Sequence, residues 1–191
     1  MIPSSSINPD SPGQDSIQLW ASRSLNGDRE AFAQLYRAMA EPLSRYLMPL
    51  LRSKSDTLDV VHDVFVRFWE RRDRISLKGS ARALLYTMSR NEALNRLKRD
   101  RRSESLDDDQ FPYSVEIDAE GEARHLAQLL QQWILELPAR RSEAFMLSRY
   151  HDLTHAQIGA IMNLSERTVN THIHHALRDL RERVEHHEAA S

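Results

Sequence analysis

The sequence predicts an all-α protein: two small helical domains joined by an acidic flexible linker, the second domain containing a helix-turn-helix. Three observations carry that expectation. Apolar residues recur at helical spacing through most of the chain, strand-like alternation is scarce, and there are only five glycines in 191 residues. Ser103–Glu122 holds eight acidic residues and no basic one, so it separates two helical segments as a linker. The stretch Thr154–Arg178, THAQIGAIMNLSERTVNTHIHHALR, has the caps, turn and polar face of two short helices.

In chain order, Met1–Asp15 is rich in Ser, Pro and Asp, has little to bury, and reads as a disordered tail. A helical pattern begins near Ser16. Asp28 caps a segment with Phe32, Leu35, Tyr36 and Met39 at helical spacing. Pro42 is expected to open a further helix, and Pro49 to bend or end it. After a polar break at Arg52–Asp56, Thr57–Arg72 carries the apolar stripe Val60, Val61, Val64, Phe65, Phe68 and Trp69. Asp59, His62, Asp63, Arg67 and Glu70 lie opposite. The polar Asp73–Ser80 is a loop. Ala81–Arg102 follows as a helix with Leu84, Leu85, Met88, Ala93, Leu94 and Leu97 inward and a basic end. Beyond the linker, residues 123–186 form the second domain and 187–191 a tail. There Leu126, Leu129, Leu130, Trp133, Ile134 and Leu137 share a face, and Pro138 separates that helix from one running to about Tyr150.

Totals bound the function. No cysteine is present, which removes disulfides, cysteine-ligated zinc and thiol nucleophiles and fits a reducing cytoplasm. No apolar run approaches a membrane span, and the first residues lack a signal-peptide core. The formal charge of −2 conceals segregation: the basic run before Arg102 is followed by the acidic linker. His151-Asp152-Leu153-Thr154-His155 loosely resembles the metalloprotease spacing. Thr154 is a helix start, however, so the two histidines do not share one continuous helix. With no phosphate-cradling glycine loop and no G-x-S-x-G elbow, the sequence gives no sign of an enzyme, a metal site or a cofactor.

The helix-turn-helix can be read residue by residue. Thr154 and Gln157 form a capping box, and Ile158, Ile161 and Met162 face inward. Asn163 tolerates the left-handed turn, and Ser165 caps the second helix. Val169, Ile173, Ala176, Leu177 and Leu180 form its apolar face, while Arg167, Asn170, Thr171, His174 and Arg178 form a polar one suited to a DNA major groove.

Three motifs in order then resemble the extracytoplasmic-function sigma factors of the sigma-70 family. They are DVVHDVFVRFWERRDRI at Asp59–Ile75, ALLYTMSRNEALNRLKRDRR at Ala83–Arg102, and the segment Leu135–Glu182 around the helix-turn-helix. The resemblance implies a sigma region 2 over residues 16–102 and a region 4 over 123–186. It implies core RNA polymerase as partner, through its β′ clamp helices and β flap, together with promoter DNA and an anti-sigma factor. Asp59, His62, Asp63, Arg67 and Glu70 would contact the clamp. The Asp73–Ser80 loop, with Ser76 and Lys78, would cradle a base flipped from the −10 element. Arg90, Asn91, Asn95, Arg96 and Lys98 would hold the separated strand. Ser165, Arg167, Thr168, Asn170, Thr171, His174 and Arg178 would read the −35 duplex. The acidic linker would thread the nucleic-acid channels of polymerase. Leu84 stands where many relatives carry Trp, and Asn163 where they carry a turn glycine. No further C-terminal domain is expected, so sensing falls to a separate partner.

SERTVNTHI also resembles the recognition helix of LuxR-type regulators. Their usual receiver domain would show strand–helix alternation, which Ser16–Arg102 lacks. A helical adaptor that binds only protein is the other rival; it predicts no DNA footprint.

Overall fold

The structure, a computed structural model, describes residues 13–103 and 122–190. Every regular element among them is an α-helix. The chain divides into two compact units, Met1–Phe111 and Pro112–Ser191. The acidic segment, apart from its end residues Ser103 and Glu122, lies outside the described residues, as does most of the N-terminal tail.

The first unit contains α1 (Gln14–Leu25), α2 (Arg29–Leu51), α3 (Lys54–Glu70) and α4 (Ala81–Ser103). Gly27 turns the chain between α1 and α2 with φ of 86°, and Asp28 caps α2 by accepting from the Ala31 N–H at 3.0 Å. The expectation of a separate helix at Pro42 is corrected: α2 runs through Pro42 and Pro49 without a break. An internal proline costs about 3 kcal/mol. Burying one large apolar side chain contributes about 1.5–3 kcal/mol. With Leu35, Met39, Leu43, Tyr46 and Leu47 all buried on one continuous stripe, packing outweighs the lost backbone bonds.

Arg52, in the left-handed region at φ 54°, ends α2. Ser53 immediately starts α3 by accepting from the Asp56 N–H. Lys54–Asp56 therefore belong to α3, where the sequence reads as a polar break. A strong N-cap shortens the connection to almost nothing. Val60, Val61, Val64, Phe65 and Phe68 are buried as expected. Aromatic pairs join the helices: Tyr36 meets Phe65 at 4.8 Å between centroids, Phe32 meets Trp69 at 4.9 Å, and Tyr46 meets Tyr86 at 5.3 Å.

α4 packs against α1, α2 and α3, so its buried face differs from a simple leucine stripe. Leu85 and Ala93 are buried as expected, but Tyr86, Ser89 and Glu92 join them, while Leu84, Met88, Leu94 and Leu97 are half-buried. A helix touched from three sides has no single inward line of positions.

The second unit contains α5 (Glu122–Glu136), α6 (Ala139–Tyr150), α7 (His155–Met162) and α8 (Glu166–Ala190). Its core joins Ile134 and Leu137 of the α5 end to Phe145, Met146, Ala176 and Leu180. Packing concentrates on the C-terminal half of α5, leaving Leu126 exposed despite its place on the apolar face. Pro138 precedes α6 as expected. α8 continues to Ala190, so residues 187–190 extend that helix. Likewise Gln14 and Asp15 open α1.

Candidate DNA-reading and docking faces

The helix-turn-helix forms as its residues dictate. Thr154 accepts from the Gln157 N–H at 3.2 Å, and the Gln157 side chain accepts from the Thr154 N–H at 2.8 Å. Asn163 adopts φ 55° and ψ 53°, and the next residue, Leu164, donates its N–H to the Gly159 carbonyl at 2.9 Å. The Ser165 hydroxyl accepts from the Thr168 N–H at 3.1 Å and lies 2.7 Å from the Thr168 hydroxyl. Val169, Ile173, Ala176 and Leu180 are buried, which turns Arg167, Asn170, Thr171, His174 and Arg178 outward. These five residues thus share one exposed face of α8, with Ser165 exposed just ahead of the helix and Thr168 half-covered. Their chemical states differ. Thr171 donates to the Arg167 carbonyl at 3.0 Å, and Arg178 is paired with Asp179 at 3.4 Å and Glu182 at 3.8 Å. Exposed pairs of this kind exchange readily for phosphate.

Beside that face, His172 is half-buried where α8 meets α6. Burial holds its imidazole below the ordinary value, reinforced by the charges of Arg140, Arg141 and His175. The unfolded chain therefore binds a proton at His172 more readily than the folded one. Stability from this group is complete above the unfolded value of about 6.5 and is lost as pH falls through the lower folded value. The expected outcome is a melting midpoint that falls on acidification from about pH 7 to about pH 5.5, with a shallower fall in His172→Gln. Circular dichroism melts at matched ionic strength check it.

On α3, Asp59, His62, Asp63, Arg67 and Glu70 all lie exposed on the side opposite Val60, Val64 and Phe68. The stripe also contains two apolar side chains absent from the sequence-derived set: Leu58 is 54% exposed and Val66 is 37% exposed. Their signal was present, since Leu58, His62 and Val66 follow each other at intervals of four, outside the buried stripe.

On α4, Asn91, Asn95 and Lys98 are exposed, while Arg90 and Arg96 are half-buried. In the loop before it, Ser76 and Lys78 are exposed. The two groups of candidate residues are not separate in space. Arg96 donates to Asp56 at 2.5 Å and to Asp59 at 3.3 Å, tying α4 to the start of α3. Arg67 pairs with Glu92, whose side chain is 5% exposed, and Arg99 reaches the other carboxylate oxygen at 3.4 Å. A cleft of about 360 Å³ is lined by Arg67, Glu92, Asn95, Lys98 and Arg99. Sequence periodicity missed Glu92 as an organising group because a lone Glu amid a basic run resembles a solvated charge.

His151 ends α6 and is buried, whereas His155 opens α7, so the pair lies across a helix break. Among the described residues no group of three His, Cys, Asp or Glu side chains converges as a metal site. No described helix is long and apolar enough to cross a membrane.

Residues 35–103 match Sigma-70 region 2, and residues 127–180 match Sigma-70 region 4. Together these cover well over half of the chain. The ECF RNA polymerase sigma factor SigW of Bacillus subtilis is 24% identical over 170 residues, covering 83% of this chain and 91% of SigW. Two solved structures share the fold. CnrH, in complex with the cytosolic domain of CnrY, matches with a TM-score of 0.65 at 20% identity, covering 90% of this chain and 98% of that one. The sigma factor RpoE, in complex with the anti-sigma factor NepR from Bartonella quintana, matches with a TM-score of 0.64 at 21% identity, covering 81% and 96%. The two regions, in this order and in separate helical units, define a sigma factor of bacterial transcription initiation. The chain belongs to the sigma-70 family, in its extracytoplasmic-function group. A LuxR-type regulator is not favoured, because region 2 occupies the stretch where its sensory domain would stand. Sigma factors are initiation factors rather than enzymes.

Proposed function

We infer that this extracytoplasmic-function sigma factor divides promoter recognition between two helical faces. The α3 stripe of Asp59, His62, Asp63, Arg67 and Glu70, widened by Leu58 and Val66, docks on the β′ clamp helices of core polymerase. The loop with Ser76 and Lys78 receives an unstacked −10 base. Asn91, Asn95 and Lys98, with Arg90, hold the separated strand, and Arg96 braces them from its anchor on Asp56 and Asp59. Region 2 thus corresponds to residues 16–102, and the 103–122 segment threads the nucleic-acid channel. Region 4, residues 123–186, meets the β flap and presents Ser165, Arg167, Thr168, Asn170, Thr171, His174 and Arg178 to the −35 duplex. The observation that carries this reading is the exposed polar margin of α8, built on a capped turn, in the same chain as the exposed α3 stripe.

Melting a duplex requires that stacking lost on one strand be replaced by protein contacts, which a loop pocket and backbone cations supply. An anti-sigma factor is the natural regulator, since RpoE, of the same fold, is bound by NepR. The protein works in the cytoplasm, with polymerase.

The test is run-off transcription with core polymerase. Asp63→Lys should abolish complex formation with core polymerase while leaving binding of the −35 duplex as in the wild type. Arg167→Ala should weaken −35 binding by about 1–3 kcal/mol with relaxed specificity if Arg167 reads a base. An equal loss on every sequence marks it instead as a phosphate contact. Failure of the wild-type chain to bind core polymerase would sink the assignment.

A further inference from the structure

The loop joining α3 to α4 is held at its far end by a side chain from α1. Gln18 Nε2 donates to the Gly79 carbonyl at 3.2 Å, and Gln18 Oε1 accepts from the Ala81 N–H at 2.8 Å. One amide therefore spans the last loop residues and the first residue of α4. The Ala81 N–H is among the donors that a helix start leaves without an intrahelical partner. Ser80 covers another of them, its hydroxyl accepting from the Ala83 N–H at 3.3 Å. Gln18 adds a second capping contact from 63 residues away in sequence.

α1 does not need this side chain for its own packing, which rests on the buried Ile17, Ala21 and Ser24. Ser80 ties the loop end to α4 by its own cap, but Gly79 is not held in this way. Gly79 has no left-handed φ, and a Cβ placed there would meet nothing within 4 Å, so neither backbone requirement nor packing fixes it. Glycine in open space is the most conformationally permissive residue, so an external tie is what orders the carbonyl. Fixing a long polar side chain costs rotamer freedom, and here both polar atoms of the amide are engaged. α1 lies ahead of residues 35–103, the part matched by sigma-70 region 2.

We propose that Gln18 is a positioning residue for promoter opening: by tying the loop at Gly79 to the start of α4, it sets the loop shape that receives the unstacked −10 base. Gln18 itself touches no DNA. The role rests on the reading of the loop as the base cradle, and its ligand is a single nucleobase out of the stack.

The test uses holoenzyme assembled from core polymerase and the full chain, on promoters carrying each of the four bases at each −10 position. Gln18→Met preserves length and removes both hydrogen bonds. The ratio between the best and worst −10 base should fall about tenfold. Binding to core polymerase and to the −35 duplex should stay as in the wild type. Gln18→Glu keeps the acceptor for Ala81 but sets a carboxylate against the Gly79 carbonyl, so it should lose at least as much selectivity. It also stands in should the Met variant fail to fold. Ser76→Ala and Lys78→Ala, inside the loop, separate the two ideas. If the loop variants alter base selectivity and folded Gln18 variants do not, the cradle stands and the Gln18 role is overturned. If none of the four alters it, the cradle reading fails and takes the Gln18 role with it. An equal loss of core binding and −35 binding in the Gln18 variants would mark the residue as merely structural and overturn the proposal.

Discussion

Gly159→Ala should destabilise the second unit by about 1–3 kcal/mol, the range for forcing a methyl group into filled space. The sign is the informative part. Alanine in the middle of a helix normally gains about 1 kcal/mol over glycine. Gly159 lies inside α7, but a Cβ there would approach the Leu164 carbonyl oxygen to 2.7 Å. That oxygen belongs to the turn, whose Leu164 N–H already bonds the Gly159 carbonyl. The neighbour is backbone rather than the flexible end of a side chain, so relief requires moving the turn. Moving it shifts the left-handed Asn163 and the Ser165 cap, and with them the start of α8. Binding of the −35 duplex should therefore fall with stability, and Gly159→Val should be worse in both. Chemical denaturation monitored by circular dichroism, alongside duplex binding by anisotropy, measures the pair. A stabilised, fully binding Gly159→Ala would show that the turn relaxes freely.

The second large effect is expected at Arg67, where a residue proposed for docking also holds the fold together. Glu92 is nearly fully buried, and Arg67 is its first partner, with Arg99 farther away at 3.4 Å. Removing one member of a buried pair strands the other's charge, which costs about 3–5 kcal/mol when no other partner remains. Arg67 is half-exposed and Arg99 stays, so Arg67→Ala should lose about 2–3 kcal/mol, at or below the low end of that range. The double variant Arg67→Ala with Glu92→Gln should recover most of the loss, because the stranded charge is gone. Loss of polymerase binding in Arg67→Ala alone is thus ambiguous. Only binding that stays low in the refolded double variant reports a contact with polymerase. Denaturation midpoints and core-binding titrations on all four members of the cycle separate the two contributions. A stable single variant would show that Arg99 suffices for Glu92.

Much of the fold was legible from local chemistry. The capping box at Thr154 and Gln157, the left-handed Asn163 and the caps at Asp28 and Ser165 each involve residues within about one helical turn, so their partners are written next to them. The apolar stripe of α3 and the outward margin of α8 follow from helical period for the same reason. Errors arose where a local rule met distant packing. The prolines of α2 are breakers by propensity, yet the stripe around them is buried by three other helices. Leu126 shares a face with Ile134 but stands where that face finds little to cover it.

From the sequence alone came the all-helical class, the helix-turn-helix and its exposed polar face, and the resemblance that named two sigma regions. Each depends on residues that act on their immediate neighbours, or on patterns one helix long. Tertiary structure decided which charged and polar groups answer one another. Arg96 meets Asp56 and Asp59 across 40 and 37 residues, Arg67 meets Glu92 across 25, and Gln18 meets the α4 start across 63. Charge pairing has no sequence period, because any acid can satisfy any base that folding brings within reach. The same holds for Gly159, whose need for no side chain is imposed by a carbonyl on the far side of the turn.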